Sequence, residues 1–130
     1  MCSVDDCPPW LVYNETRPTA RKPHSCGECG RVIVAGEMYL RIQGRVEGTW
    51  LAYKVCRHCT AVSRFMRVLC GGHSVGNLLD ELREHWYDGY RSIPLARWIA
   101  GMNRRWHDGR DPVPTGCGAV AGELMAAAVT

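Results

Sequence analysis

The chain has 130 residues, 46% of them hydrophobic, and a net charge of +3, which suits one domain or one small module with an appendage. No apolar run of about 18 residues is present to span a membrane, and the acidic N-terminus lacks the apolar core of a secretory signal. We therefore expect a cytoplasmic protein. Positive charge is concentrated in residues 17–67, which carry ten Lys or Arg against three acids.

The first part of the chain is predicted to be an irregular segment followed by a compact module. Residues 1–23 contain four prolines and show no period, although the apolar residues 10–13 are expected to pack as a short strand or clip. Residues 24–70 are predicted to form the module. Its strands are expected at 32–34, 38–42 and 50–55, and its helix is expected to run from 56 to about 69.

Two amphipathic helices are predicted in residues 71–110, as an appendage to the module. Ser74 or Asn77 can cap the first helix, and Ser92 can cap the second. The second helix takes its apolar stripe from residues at helical spacing: Leu95, Trp98, Ile99, Met102 and Trp106. Residues 111–130 form a tail rich in Gly, Ala and Pro, with a weak helix expected at 121–129. The predicted fold class is therefore α+β.

Two C-x-x-C pairs, Cys26–Cys29 and Cys56–Cys59, have the arrangement of a four-cysteine zinc site. Each pair supplies two ligands from one tight turn, and the second pair begins a helix whose free N–H groups and dipole favour thiolates. In a reducing cytosol, cysteines are more often metal ligands or buried thiols than disulfides. Four protein thiolates leave no position for water, so we predict a structural Zn²⁺ and no enzyme activity.

Other ligand sets remain open. His24 and His58 are candidate substitute ligands, although both are more simply interpreted as exposed or neighbouring imidazoles. A second zinc site is an alternative for the remaining cysteines, because a C-x-x-H pattern at Cys70 and His73 could combine with the N-terminal cysteines. Its four ligands would be Cys2, Cys7, Cys70 and His73. The simpler interpretation is a buried Cys70 at a helix end and a polar His73 in the following loop.

The module resembles a known class of zinc finger. The stretches HSCGECGRVI (24–33), GEMY (36–39), GTW (48–50) and YKVCRHC (53–59) are similar to small treble-clef zinc-finger proteins of phages and prophages, and more loosely to PARP-type and LIM fingers. PARP-type fingers have a His in the second pair, where this chain has Cys. The resemblance covers residues 22–62. It implies a treble-clef fold, a zinc ion and a bacterial host cytoplasm.

A basic face on the predicted helix suggests what the module binds. On a helical wheel, Arg57, Arg64 and Arg67 lie opposite the apolar side, and Arg31 and Lys54 could extend this surface. Such a face suits nucleic-acid phosphates or an acidic protein surface. We therefore expect a nucleic-acid-binding or regulatory module. The alternative is a non-enzymatic adaptor or inhibitor of a host machine, of the anti-defence or anti-CRISPR type.

Overall fold

A computed structural model describes residues 10–46 and 48–129. Over these residues the protein is α+β, as predicted, with two small antiparallel sheets and helical segments. The strands are β1 (Trp10–Thr16), β2 (His24–Ser25), β3 (Val32–Ile33), β4 (Leu40–Val46) and β5 (Thr49–Val55). The helical segments are α1 (Arg57–Cys70), α2 (Leu78–Tyr87), α3 (Ile93–Asn103), α4 (Trp106–Gly109) and α5 (Cys117–Val129). Within the described residues, no helix has the length and apolarity needed to cross a membrane.

The larger sheet has the strand order β1-β4-β5. The β4–β5 hairpin pairs Leu40 with Val55 and Val46 with Thr49. Leu40, Ile42 and Val55 are buried, and alternation of side chains along the strands sends the intervening residues to the opposite face. The sheet therefore has an inner face in the core and an outer face toward solvent. The predicted strand at 38–42 begins two residues later and extends further than expected.

Helix α1 contributes three completely buried apolar residues to the core. Val62, Phe65 and Met66 each have 0% exposure. Phe65 makes edge-on contacts with Trp98 of α3 at 5.3 Å and with His85 of α2 at 6.3 Å. The weak helix expected at 121–129 begins at residue 117 instead, and it packs along α1.

Helix α2 receives its N-terminal cap from a distant segment. Asn77 precedes the helix without a side-chain capping bond. The carboxylate of Glu28 instead accepts hydrogen bonds from the backbone N–H groups of Gly76 (3.1 Å) and Leu78 (3.2 Å). Burial raises the pKa of Glu28, and a carboxylate at a helix N-terminus is electrostatically favourable. The segment between the first two predicted ligands therefore holds the start of α2.

The prediction that α3 carries Trp106 on its apolar stripe is wrong. The helix ends at Asn103, and after Arg104 the four residues 105–108 have positive φ angles of 49–57°. This short left-handed turn, 105–108, contains no glycine, and each such residue costs about 1–2 kcal/mol. The turn redirects Trp106 away from the α3 stripe, yet Trp106 is buried at 3% exposure. The helical spacing of Trp106 from the apolar residues of α3 therefore does not reflect a shared helix face.

Two helical glycines provide a test of packing against the turn. A Cβ added at Gly101 would lie 2.2 Å from the Trp106 ring, whereas one at Gly122 meets nothing within 4 Å. We expect Gly101→Ala to lower the free energy of unfolding by about 1–3 kcal/mol through overpacking. Gly122→Ala should raise it by about 0.5–1 kcal/mol, because alanine is the better helix former. Urea denaturation of both variants measures the effects. Equal changes in the two proteins would contradict this account of Trp106.

Candidate metal centre

The first pair of ligands lies in a tight turn between β2 and β3. The Cys26 N–H donates to the Arg31 carbonyl at 2.9 Å, and the Gly30 N–H donates to the Cys26 carbonyl at 3.0 Å. Gly30 has a φ angle of +83°, a conformation that glycine adopts without a steric penalty. The turn thereby places the Cys26 and Cys29 side chains on the same side.

The second pair lies at the junction of β5 and α1. Cys56 is the N-cap of α1, and its sulfur accepts a hydrogen bond from the Cys59 N–H at 3.4 Å. The sulfur therefore satisfies one of the N–H groups that the first turn of any helix leaves free. The helix prediction is confirmed here, with Cys56 as the cap and Arg57 as the first helical residue.

The four sulfurs meet at one point. The Sγ atoms of Cys26, Cys29, Cys56 and Cys59 all lie within 4.8 Å of one another, and no other group of three or more such ligands occurs in residues 10–46 and 48–129. The Cys29 and Cys56 sulfurs are 3.8 Å apart. A tetrahedron with Zn–S bonds of about 2.3 Å separates its sulfurs by about 3.8 Å. The geometry is therefore compatible with a bound metal ion, and four thiolates favour zinc.

N–H donors surround the cluster, as thiolate ligands require. The backbone N–H groups of Glu28 (3.4 Å) and Cys56 (3.3 Å) donate to the sulfur of Cys26. The indole N–H of Trp106 donates to the sulfur of Cys59 at 3.5 Å. Such outer contacts orient ligands and tune a metal site. The left-handed turn therefore delivers a donor directly to the cluster.

The four thiols share protons rather than titrating independently. Hydrogen bonding, first with Cys26, lowers the pKa of Cys56 strongly, and hydrogen bonding with Cys26 raises the pKa of Cys29 and Cys59. Close like charges cannot all ionise without compensation. A divalent cation at the centre supplies that compensation, since metal binding displaces the thiol protons.

The two histidines named as alternative ligands lie outside the cluster. His58 is buried, and its Nε2 donates to the Asp111 carbonyl at 2.6 Å. Its ring stacks on Trp106 with a centroid distance of 5.2 Å. His24 packs against Tyr39 at 5.3 Å. His58 therefore supports the turn that contacts the sulfurs, a role that its position between two cysteines did not reveal.

Arg31 is not a surface residue, in contrast to the expectation that it extends the basic face. Its side chain is 1% exposed and forms a bidentate ion pair with Glu37. Burial would raise the pKa of Glu37, but the hydrogen bond and charge of Arg31 lower it. Arg31 also donates to the Val32 carbonyl at 2.8 Å. The guanidinium is thus engaged inside the protein and cannot contact a phosphate.

The other predicted basic residues are accessible to different degrees. Arg57, Arg64 and Arg67 are exposed on α1, and Lys54 is half-buried on β5. The Arg57 guanidinium lies 3.5 Å from Glu37, and Arg67 lies 3.4 Å from Glu15. Part of the charge on the helix face is therefore neutralised by the protein itself.

The sequence interpretation missed a cluster on the outer face of the sheet. Trp50 is 64% exposed and pairs directly with Arg45, while Lys54 pairs with Arg41. Residues paired across an antiparallel ladder lie side by side on one face. The alternation of Arg41, Gln43 and Arg45 in the sequence was the signal for this surface. It became interpretable only once the register of β4 against β5 was known.

The alternative second zinc site considered from the sequence had Cys2, Cys7, Cys70 and His73 as its ligands. Cys2 and Cys7 lie outside the described residues. Cys70 is disulfide-bonded, in contrast to the expectation that the cysteines are metal ligands or buried thiols. Its sulfur also contacts His85. The Nδ1 of His73 donates a hydrogen bond to the Ser74 carbonyl at 2.9 Å. The same nitrogen lies 3.9 Å from the carboxylate of Glu28.

Comparisons with known proteins add no relative. No protein-family model, curated protein or solved structure matches the chain. The fold and the cluster therefore define the class on their own. This is a small α+β protein with a tetracysteine site that is able to coordinate a metal ion.

Removal of one ligand tests the site. We expect Cys56→Ser to lose about one equivalent of zinc relative to the wild type and to unfold at much lower urea, because structural zinc contributes on the order of 10 kcal/mol to folding. Elemental analysis and urea denaturation give the two readouts. Cys117→Ser, which changes a buried free thiol outside the cluster, should retain the metal. Unchanged zinc content and stability in Cys56→Ser would refute the assignment.

The indole N–H contact is tested separately. Trp106→Phe keeps an aromatic ring but removes the donor to Cys59, so zinc affinity should fall about 10- to 100-fold. Competition with a chromogenic chelator measures the affinity. Trp98→Phe is the control, because Trp98 is similarly buried in the core but packs on Phe65. A similar loss of affinity in both variants would indicate a general packing defect instead.

Proposed function

We propose that this protein is a treble-clef zinc module that binds single-stranded nucleic acid through the outer face of its larger sheet. The order of turn, strands and cysteine-capped helix supports the treble-clef assignment, together with its resemblance to phage zinc fingers. One observation carries the function: an exposed tryptophan lies among basic side chains on the outer face of the larger sheet. We call this surface the outer sheet face and define it by six residues: Arg41, Gln43, Arg45, Trp50, Ala52 and Lys54.

Among the described residues, the β1 neighbours of the outer sheet face do not offset its charge. Strand β1 pairs Asn14 with Gln43 and Thr16 with Arg41, and both β1 residues are uncharged. Glu15 lies between them in sequence and pairs instead with Arg67 of α1. None of the six residues that define the face is acidic. Its three basic side chains are therefore available to attract phosphate groups.

The chemistry of the face suits unpaired bases. Trp50 borders a shallow groove of about 360 Å³, which is lined by Asn14, Gln43, Trp50, Leu51 and Ala52. Exposed aromatic rings stack on bases regardless of sequence, and cations beside them follow the backbone. Bases inside a duplex cannot reach such a ring. The face therefore favours single strands over double strands.

The helix face contributes less than the sequence predicted. Arg57 and Arg64 line a second groove of about 410 Å³ together with Arg17. Arg57 is partly neutralised by Glu37, and Arg67 by Glu15. We assign this groove a supporting role in phosphate binding, and we propose no catalytic activity for either surface.

A protein partner is the second candidate. Trp50 and Leu51 are 64% and 43% exposed, and they lie on β5, an edge strand of its sheet. Exposed apolar residues on an edge strand are typical of surfaces that bind another chain. This observation supports the adaptor or inhibitor alternative, in which the basic residues would contact an acidic protein surface.

The test measures binding of fluorescent oligonucleotides by anisotropy at several salt concentrations. We expect Trp50→Ala to weaken binding to single strands by about 5- to 150-fold, because base stacking contributes about 1–3 kcal/mol. Arg45→Glu with Lys54→Glu should weaken it further and reduce the salt slope by about one per lost phosphate contact.

Arg91→Glu with Arg97→Glu is the matched control, since it changes the net charge equally in the helical region outside the sheet. It should leave affinity nearly unchanged. Equal losses in the two charge-reversed proteins, or no binding to any oligonucleotide, would refute the proposal. A host protein that survives nuclease treatment in a pull-down, and that Trp50→Ala releases, would then support the adaptor alternative.

A further inference from the structure

A groove bordered by three arginines lies beside the first half of α1. Arg57 and Arg64 line it from the helix, and Arg17 lines it from the position that follows β1. All three residues are exposed. The groove has a volume of about 410 Å³, which is within the range of small-ligand pockets. Three long cationic side chains thus border one concave space.

The spacing along α1 determines how two of these cations stand. Arg57 and Arg64 are seven residues apart, so they lie on the same side of the helix. At the rise of an α-helix, they are separated by about 10.5 Å along its axis. Thr60 and Ala61 lie between them and also line the groove. Because these two side chains are short, the space between the arginines stays open for a ligand.

The groove keeps a positive charge after its own acid is counted. Within the described parts of the chain, Glu37 is the only acid that lines it. The buried guanidinium of Arg31 holds the Glu37 carboxylate in a bidentate ion pair. Arg57 approaches the same carboxylate through Nε at 3.5 Å, and this contact does not use its two terminal nitrogens. Four guanidinium groups therefore accompany one carboxylate, and the excess positive charge favours an anionic ligand.

Several other residues that line the groove are apolar. Met38 and Val113 are 56% and 36% exposed, and Pro114 lies beside Val113 in the lining. Pockets for organic ligands combine apolar walls with a few convergent polar groups. The groove therefore suits an anionic group that is attached to an organic body.

The groove adjoins one end of the outer sheet face. Arg41 of that face pairs with Thr16 of β1, and the next residue, Arg17, lines the groove. Leu40, which precedes Arg41, lines it as well. Trp50 lies four ladder positions from Arg41, which is about 13 Å along the strands. A single strand that stacks on Trp50 and runs past Arg41 therefore reaches the groove next.

We propose that this groove binds the terminal phosphate of a single strand that lies on the outer sheet face. The proposal rests on the proposed function and narrows its ligand class to strands that end in a phosphomonoester. Such a group carries a charge of about −1.5 to −2 and three acceptor oxygens at neutral pH, whereas an internal phosphate carries a single negative charge. Guanidinium groups bind phosphate oxygens in pairs. Three arginines around one space therefore favour the terminal phosphate over an internal one.

The experiment compares single strands of one sequence, about ten nucleotides long, that carry a 5′-phosphate, a 3′-phosphate or hydroxyls at both ends. Each strand competes with an internally labelled strand for the full chain, and anisotropy measures the displacement. The two phosphorylated strands share the same end-group chemistry, and this comparison identifies which end the groove takes. We expect one of them to bind about 10-fold more tightly than the strand with hydroxyl ends, because charge-assisted hydrogen bonds are strong.

The variants locate the preference. Arg17→Gln with Arg64→Gln should reduce the affinity ratio between phosphorylated and hydroxyl-ended strands to about one, and it leaves the contact of Arg57 with Glu37 in place. Arg91→Gln with Arg97→Gln is the matched control and should keep the ratio. Trp50→Ala should weaken the binding of all strands and preserve the ratio, because it removes stacking and no phosphate contact.

The outcomes separate this proposal from the proposed function. Equal affinity for all the strands would overturn the terminal-phosphate site and leave the proposed function standing. A preference that survives Arg17→Gln with Arg64→Gln would also overturn it. No binding of any strand would refute both. A phosphoserine peptide that binds more tightly than every strand, and that the same double variant releases, would assign the groove to a phosphorylated protein instead.

Discussion

The convergence of four sulfurs within 4.8 Å is the constraint on which the rest of the structure depends. The cluster joins two segments that lie about 30 residues apart in the sequence. The turn between β2 and β3 supplies two ligands, and the cap of α1 supplies the other two. Glu28, inside the first pair, holds the start of α2. Four thiolates around one divalent cation leave a net negative charge, which the surrounding N–H groups stabilise.

The strained turn after α3 makes sense in relation to this cluster. Four consecutive left-handed residues would cost several kcal/mol in isolation. Specific contacts offset this cost. The indole N–H of Trp106 donates a hydrogen bond to the Cys59 sulfur, and the indole ring stacks on His58. The carboxylate of Asp111 accepts hydrogen bonds from the side chains of Arg104 and His107, both at 2.8 Å, and these bonds stabilise the turn. Backbone strain of this kind persists where the surroundings hold it, often beside functional sites.

The sequence predicted features that are determined locally and missed those that depend on distant packing. The spacing of the two C-x-x-C pairs identified all four members of the cluster, and helical periodicity located α1, α2 and the start of α3. Periodicity also misplaced Trp106, because a left-handed turn interrupts the helix without a glycine or proline to signal it. Arg31 appeared to be a surface cation, since nothing local shows that Glu37 lies opposite it. The proximity of Cys70 and His85 requires the packing of α2 against α1.

The metal cluster and the outer sheet face are linked through β5. The Gly27 N–H, between the first two ligands, donates to the Lys54 carbonyl at 2.7 Å. The Tyr53 ring packs so closely that a Cβ at Gly27 would lie 2.2 Å from it. The C-terminal end of β5 is thus hydrogen-bonded to the turn that carries the first two ligands. The same end of the strand continues directly into Cys56, the third ligand. A metal ion that rigidifies this turn therefore also fixes the register of β5, which determines where its exposed side chains stand.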